Sequence, residues 1–340
     1  MNLKNRIEAF SNLGNVLREG INSTGPLQSL INSQVSVNPW FTPENVRNAI
    51  SALGNELTEE NLLNWTNAYP ELENDKEKRT IGVVMAGNIP LVGFHDFLSV
   101  LISGNRILGK TSSKDSELIK YISTIICDSS PEFKSDIVFT DGHLKGFDAV
   151  IATGSGNSSR YFDYYFGKYP NIIRKNRSSV AILSGDETKL ELRQLGNDIF
   201  SYFGLGCRSI SKLFVPVNYD FSTLIKSWSS FEDIINHNKY ANNYDHNKAI
   251  FLVNRDKFLD GGFVLLKEDP EFSSPISVLH YEFYNDPEYT SEQIDLMSER
   301  IQCIVGKSNT PFGEAQSPRL WDYADGIDTI KFLLKLKKSV

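Results

Sequence analysis

Thr80-Ile-Gly-Val-Val-Met-Ala-Gly-Asn-Ile-Pro90 is the stretch whose reading decides the fold. Residues 81–85 form a short apolar run, a glycine–asparagine–proline turn stops it, and an apolar segment over 92–103 follows. A run this short, bounded by turn residues, reads as a buried strand feeding a helix. The rhythm returns downstream. Residues 106–109 read as a second strand and 117–127 as a second helix. Residues 137–139 and 149–152 are two more strands, the latter opening into Thr153-Gly-Ser-Gly-Asn157 and a helix, and 180–183 closes the series. Short buried strands alternating with helices predict an α/β fold with a parallel, doubly wound sheet. Ligands on such sheets sit at the carboxyl ends of the strands, where the loops around Asn88 and Gly154 would lie.

Upstream, Ile7, Phe10, Leu13 and Leu17 recur at helical spacing, and Thr42-Pro43-Glu44 supplies a cap, a proline and an acidic first turn. The polar run 71–78 ends this helical segment. Downstream a second α/β set is expected: helices near 190–203, 221–229 and 291–300, and strands at 213–217, 249–253, 276–284 and 301–305. The polar segment 237–247 reads as a loop or an exposed helix. The expected organisation is therefore a helical segment (1–78), one α/β domain (79–200) and a second α/β domain (201–340).

With 340 residues and 40% apolar side chains the chain has the composition of a globular protein, and its net charge of −7 gives no electrostatic reason to expect nucleic acid, which would favour a basic face. Its three cysteines are scattered, which fits neither a disulfide framework nor a metal site and points to a reducing cytoplasm. No apolar run approaches membrane-spanning length, and the first residues lack a signal-peptide core.

Cys127 and Cys303 lie in apolar runs, whereas Cys207 stands in Gly204-Leu-Gly-Cys-Arg-Ser209. Glycines there let backbone approach a ligand closely. The stretch by itself leaves two readings open, a nucleophilic thiol or a small buried hydrophobe. Gly154 and Ser155, after a strand and before a helix, suit a phosphate, or serve turn geometry alone. They do not make a GxGxxG fingerprint. Lys110, Ser113 and Lys114 supply cations and a hydroxyl for phosphate or ribose, or simply solvate a helix start. Asn88 can donate an amide hydrogen to an oxyanion or shape a glycine–proline turn.

Occurring together and in order, these segments resemble the aldehyde dehydrogenase superfamily, and within it the LuxC-like fatty acyl-CoA reductases. The resemblance runs through Asn88-Ile-Pro90, Leu101-Ile-Ser-Gly-Asn-Arg-Ile-Leu-Gly-Lys110, Thr153-Gly-Ser155, Ile173-Arg-Lys-Asn-Arg177, Gly204-Leu-Gly-Cys207, Glu271-Phe-Ser-Ser-Pro275 and Pro311-Phe-Gly313. It implies an aldehyde dehydrogenase-like fold of two doubly wound domains. It implies Cys207 as nucleophile, with Asn88 and the Cys207 backbone N–H as oxyanion donors. Lys110 would meet the adenosine ribose or its phosphate, Gly154 and Ser155 the pyrophosphate, and Glu271 the nicotinamide ribose.

Two departures from the superfamily pattern sharpen the expectation. The glutamate that activates hydrolytic water in aldehyde oxidisers is here Ile173, which cannot act as a base. The glutamate that often holds the ribose hydroxyls, three residues after the lysine, is here Ser113, followed by Lys114. The resemblance thus implies reduction of an acyl-CoA or acyl-carrier thioester to an aldehyde, through an acyl-cysteine, with NADPH expected over NADH. A non-redox acyltransferase or thioesterase using Cys207, and an inactive binding protein of the same fold, remain as alternatives. The chain is short for the superfamily, so its assembly does not carry over directly; a homodimer is left open.

Overall fold

The computed structural model describes residues 1–74, 77–154, 156–286 and 296–336, together with Thr290, Glu292 and Ile294. It divides into two compact units, Met1–Lys175 with Arg319–Val340, and Asn176–Pro318.

The first unit opens with helices α1 (Leu3–Gly20), α2 (Pro26–Val37), α3 (Pro43–Glu56) and α4 (Glu59–Thr66). Thr42 and Thr58 cap α3 and α4, their hydroxyls accepting from Asn45 N and Asn61 N at 3.2 and 3.1 Å. Each such cap is worth about 1 kcal/mol. The apolar stripe Ile7, Phe10, Leu13 and Leu17 is buried in one core with Val46, Ile50, Trp65 and the strand residues Ile81 and Val83. Every side chain of that size contributes about 1.5–3 kcal/mol on burial. The helical segment is therefore packed into the same core as the first sheet.

That sheet follows from β1 (Thr80–Val84), α5 (Phe94–Ile102), β2 (Arg106–Lys110), α6 (Glu117–Ser129), β3 (Ile137–Phe139), β4 (Ala149–Thr153), α7 (Gly156–Phe166) and β5 (Asn171–Arg174). The order is β3-β2-β1-β4-β5, and every pairing is parallel. The chain winds outward one way from β1 and then the other way from β4, so the switch point lies between those two strands. β4, buried along Ala149–Ala152, reads as the unbroken apolar run that a central parallel strand requires.

The second unit contains β6 (Ser178–Ile182), α8 (Lys189–Phe200), β7 (Ile210–Pro216), α9 (Phe221–Ser227), α10 (Asn238–Asn254), β8 (Leu259–Asp260), β9 (Leu265–Glu268), β10 (Val278–Tyr284) and β11 (Ile301–Val305). Its sheet runs β11-β6-β7-β10-β9-β8, parallel except for the β8–β9 pair. Beyond Pro318 the chain returns to the first unit, where α11 (Thr329–Leu334) buries Ile330 and Leu333 in the first core. Tyr323 joins that return to the opening helices, its hydroxyl accepting from Trp65 Nε1 at 2.7 Å.

Four expectations are corrected. The strand at 180–183 does not close the first sheet: as β6 it pairs with β7 and β11, and the units divide at Lys175 rather than at 200. Residues 249–253 are not a strand but the end of α10, whose buried face is Tyr240, Tyr244, Asn247 and Phe251 at helical spacing. The boundary expected at 78 is absent because α1–α4 share the sheet's core. The helix expected over 291–300 falls partly outside the described residues; Ser298–Arg300 is a 3₁₀ turn. Among the described residues no helix is long and apolar enough to cross a membrane.

Candidate active site

In the first unit, the expected cofactor residues gather at the carboxyl edge of one sheet. Val84 of β1 pairs in register with Lys110 of β2 and Ala152 of β4, so the loops that follow leave side by side. Asn88 is exposed in the first loop, Lys110 is half-buried at the end of β2, Ser113 and Lys114 are exposed in the next turn, and Gly154 follows β4. Ser155 lies outside the described residues.

The loops after β1 and β2 interlock. A Cβ on Gly87 would sit 2.5 Å from Ser112 Oγ and 2.7 Å from Ser112 Cβ, so only glycine permits this approach. Asn38 Nδ2 donates to the Gly87 carbonyl at 3.4 Å. Leu91, with φ +58°, donates its N–H to Asp115 Oδ2 at 2.7 Å. Asp115 is only 4% exposed, and its Oδ1 finds no hydrogen-bond partner among the described residues. Burial pushes its pKa up to about 7, the Leu91 N–H opposing that rise.

In the second unit, α8 ends in a strained turn ahead of Cys207. Tyr202 (φ 53°, ψ 27°), Phe203 (φ 58°, ψ 25°) and Gly204 (φ 74°) are three successive left-handed residues. For the two that are not glycine this costs about 1–2 kcal/mol each. Aromatic packing offsets it: the Phe203 ring lies 4.3 Å from the His237 ring and 6.1 Å from Tyr240 between centroids. Strain held in this way concentrates at functional turns.

Cys207 is exposed, Cys127 partly covered and Cys303 buried. The Cys207 carbonyl accepts from Ser179 Oγ on β6 at 2.8 Å. Asp198, fully buried, accepts from Gly313 N at 2.7 Å and Ala315 N at 3.0 Å, fixing the Pro311-Phe-Gly313 segment. Gln316 Nε2 then reaches Ser209 Oγ at 3.3 Å, two residues beyond the thiol. Burial raises Asp198 to about 6, with both backbone N–H groups opposing.

Glu271 is exposed in the loop between β9 and β10, its carboxylate 3.1 Å from Arg300 Nη2. His280 Nδ1 lies 2.9 Å from the Glu271 carbonyl, and burial holds its pKa below the ordinary histidine value. His95 Nε2 lies 2.8 Å from the Leu320 carbonyl. Both histidines thus have backbone partners.

Ile173 is half-buried on β5, paired with Ala152. Its neighbour Arg174 makes a buried ion pair with Asp96 at 2.6 Å and donates to the Ala324 carbonyl at 2.7 Å, pinning the returning C-terminal segment. The sequence reading missed Arg174, Asp115, Asp198 and Ser179. It also passed over Lys212, the single cation in the run Ile210-Ser-Lys-Leu-Phe-Val215, which a search for charges inside strands would find. Among the described residues no cluster of histidine, cysteine or carboxylate side chains is arranged to hold a metal ion.

Solved structures that share this fold include aldehyde dehydrogenases. Aldehyde dehydrogenase 21 from Physcomitrella patens, crystallised with succinate, superimposes with a TM-score of 0.70 at 12% identity, over 98% of this chain and 84% of that one. An NADP-dependent enzyme from E. coli gives 0.64 at 11% identity, over 90% and 73%. An NAD+ complex of aldehyde dehydrogenase from Bacillus cereus gives 0.59 at 13% identity, over 90% and 72%. No curated protein matches the chain in sequence. The acyl-CoA reductase (LuxC) family matches residues 22–218, more than half the chain, from α2 through β7 and across Asn88, Lys110, Gly154 and Cys207. The chain belongs to the LuxC acyl-CoA reductase family, an oxidoreductase acting on acyl groups with an aldehyde dehydrogenase fold.

Proposed function

We propose that this enzyme reduces fatty acyl-CoA thioesters to aldehydes with NADPH, through an acyl thioester on Cys207. The observation that carries the reading is an exposed cysteine just after a left-handed, aromatically braced turn, in a chain of the acyl-CoA reductase family. Cys207 thiolate attacks the acyl carbonyl and Asn88 donates to the oxyanion. The carbon–sulfur bond to CoA breaks, and the departing thiolate takes a proton. A nicotinamide cofactor, when bound, supplies the hydride for the second half. Cys207 sulfur then leaves the carbonyl carbon, which becomes the aldehyde, and the thiol is restored by a proton. Covalent catalysis keeps the carbonyl electrophilic between the two halves.

The residues at the first sheet's carboxyl edge fit such a cofactor. Lys110 and Lys114 supply positive charge, Ser113 a hydroxyl, and Gly154, which has no side chain, follows β4 at the switch point. With serine and lysine at positions 113 and 114, no carboxylate there repels a 2′-phosphate, which favours NADPH. Ser155 is assigned to the pyrophosphate and Glu271 to the nicotinamide ribose. On this reading the first unit supplies Lys110, Ser113, Lys114, Gly154 and Ser155 to the cofactor, and the second supplies Glu271 and the nucleophile Cys207. Ile173 supports reduction over hydrolysis, since it has no group to activate water.

Intact-mass measurement tests the proposal. Acyl-CoA alone should add one acyl group, lost in Cys207→Ser. NADPH should then discharge it as aldehyde, with kcat/KM above that for NADH. Hydrolysis of acyl-CoA at the same rate without NADPH would establish a thioesterase, and no adduct at all would defeat the covalent step.

A further inference from the structure

Three successive backbone carbonyls in the loop that presents Glu271 each face a side chain from the adjoining sheet. Lys212 Nζ on β7 donates to the Pro270 carbonyl at 2.8 Å. His280 Nδ1 on β10 lies 2.9 Å from the Glu271 carbonyl, and Ser211 Oγ on β7 donates to the Phe272 carbonyl at 2.6 Å. The Glu271 N–H is also occupied, donating to Asp269 Oδ1 at 3.0 Å. A surface loop ordinarily leaves such groups to water. Here the backbone on both sides of Glu271 is fixed, while its carboxylate remains exposed.

Lys212 is the costly member. It is 1% exposed and lies among aromatic rings, its Nζ 5.0 Å from the Phe214 centroid and 5.1 Å from Phe272. Glu282, its partner at 2.6 Å, has a side chain 48% exposed and would be solvated without it. Taking an ammonium out of water is expensive, and an apolar residue of similar volume at such a site is often neutral or stabilising. Stability therefore does not explain a lysine in the middle of β7; the Pro270 carbonyl does. A carboxylate that must meet two hydroxyls of a ribose gains from a backbone ordered before the ligand arrives.

We infer that Lys212, with Ser211 and His280, is a positioning residue that holds the Glu271 loop for the sugar diol of the bound dinucleotide. The inference rests on the assignment of Glu271 to that ribose, and the experiment separates the two. NADPH dissociation constants, Cys207 acylation rates from intact mass, and thermal midpoints are measured for Glu271→Gln, Lys212→Met, Ser211→Ala and Ser211→Thr. Expected are weaker NADPH binding by about tenfold in Glu271→Gln, Lys212→Met and Ser211→Ala, and near-wild-type binding in Ser211→Thr, which keeps the hydroxyl. Acylation should stay within about twofold in Lys212→Met and the two Ser211 variants, and the midpoint of Lys212→Met should equal or exceed that of the wild type. If Glu271→Gln alone loses NADPH, the positioning role is wrong and the assignment of Glu271 stands. If Glu271→Gln binds normally, that assignment falls and the inference with it. If Lys212→Met fails to fold, or loses acylation and thermal midpoint along with NADPH, the lysine is structural and the inference is overturned for it; the two Ser211 variants then decide it for Ser211.

Discussion

Asp115→Asn isolates the energetic consequence of a buried carboxyl behind the loop that carries Asn88. The wild-type carboxyl is 4% exposed, with one oxygen bonded to Leu91 N–H and the other without a hydrogen bond among the described residues. Burial raises its pKa from the ordinary 3.8 to about 7. In the unfolded chain it ionises near pH 4, while in the folded chain it holds its proton to about pH 7. Its favourable contribution is complete below about pH 4, declines as the pH rises, and is exhausted above about pH 7. Three pH units at about 1.4 kcal/mol each give a full span of about 4 kcal/mol. Between pH 5 and pH 8 the accessible part is about 2.5 kcal/mol. Asparagine has no such titration, and its side-chain oxygen can still accept from Leu91 N–H. The variant should therefore gain about 2.5 kcal/mol relative to wild type on moving from pH 5 to pH 8. Denaturant unfolding followed by tryptophan fluorescence is the assay, since Trp40, Trp65 and Trp321 all belong to the first unit. A variant-minus-wild-type difference that stays within about 0.5 kcal/mol across that range refutes the buried neutral carboxyl.

Two further substitutions probe the first unit. Arg174→Met leaves Asp96 as a buried, unmatched carboxylate and should cost about 3–5 kcal/mol, whereas Arg174→Met with Asp96→Leu should recover most of it. Equal unfolding midpoints for the single and double variants would show that the pair is not coupled. Gly87→Ala places a methyl 2.5 Å from Ser112 Oγ and should cost about 1–3 kcal/mol, while adding Ser112→Gly should restore the thermal midpoint because both close atoms are removed. Failure of that rescue would show that the cost lies outside the Ser112 contact, in Lys114 Cβ at 3.3 Å or in the hydrogen bond from Lys114 N–H that Ser112 Oγ accepts at 3.2 Å.

Features written in consecutive residues were legible. Thr42-Pro43 and Thr58 act as caps because a hydroxyl and the N–H three residues on are close in any helix start. The five strands 80–84, 106–110, 137–139, 149–153 and 301–305 are marked by apolar runs between turn residues. Strand partners were not legible in the same way. The run at 178–182 is equally apolar whichever sheet it enters, and only its pairing with β7 and β11 decides the matter. The end of α10 misled for a related reason. Its β-branched and apolar residues favour a strand locally, yet Leu252 and Val253 are 61% and 81% exposed, and Phe251 alone continues the buried face set by Tyr240 and Tyr244.

The same divide runs through the candidate site. Residues expected to face a ligand, such as Cys207 and Asn88, stand beside glycines or prolines, because close approach restricts their neighbours as well as themselves. Residues that hold those loops in place leave no such trace. Ser179, Ser211, Lys212 and Gln316 each bond a backbone carbonyl, and Asp198 and Asp115 each take a backbone N–H. A carbonyl or an N–H is present at nearly every residue, so the bond constrains only one of its two partners. No pairwise motif can result. What betrays such residues is their cost, a serine in a buried strand or an ammonium among phenylalanines, and that cost becomes visible only once burial is known. Lys212 is the clearest instance: in the chain it is one lysine among many, and at 1% exposure it is a charge whose position demands a reason.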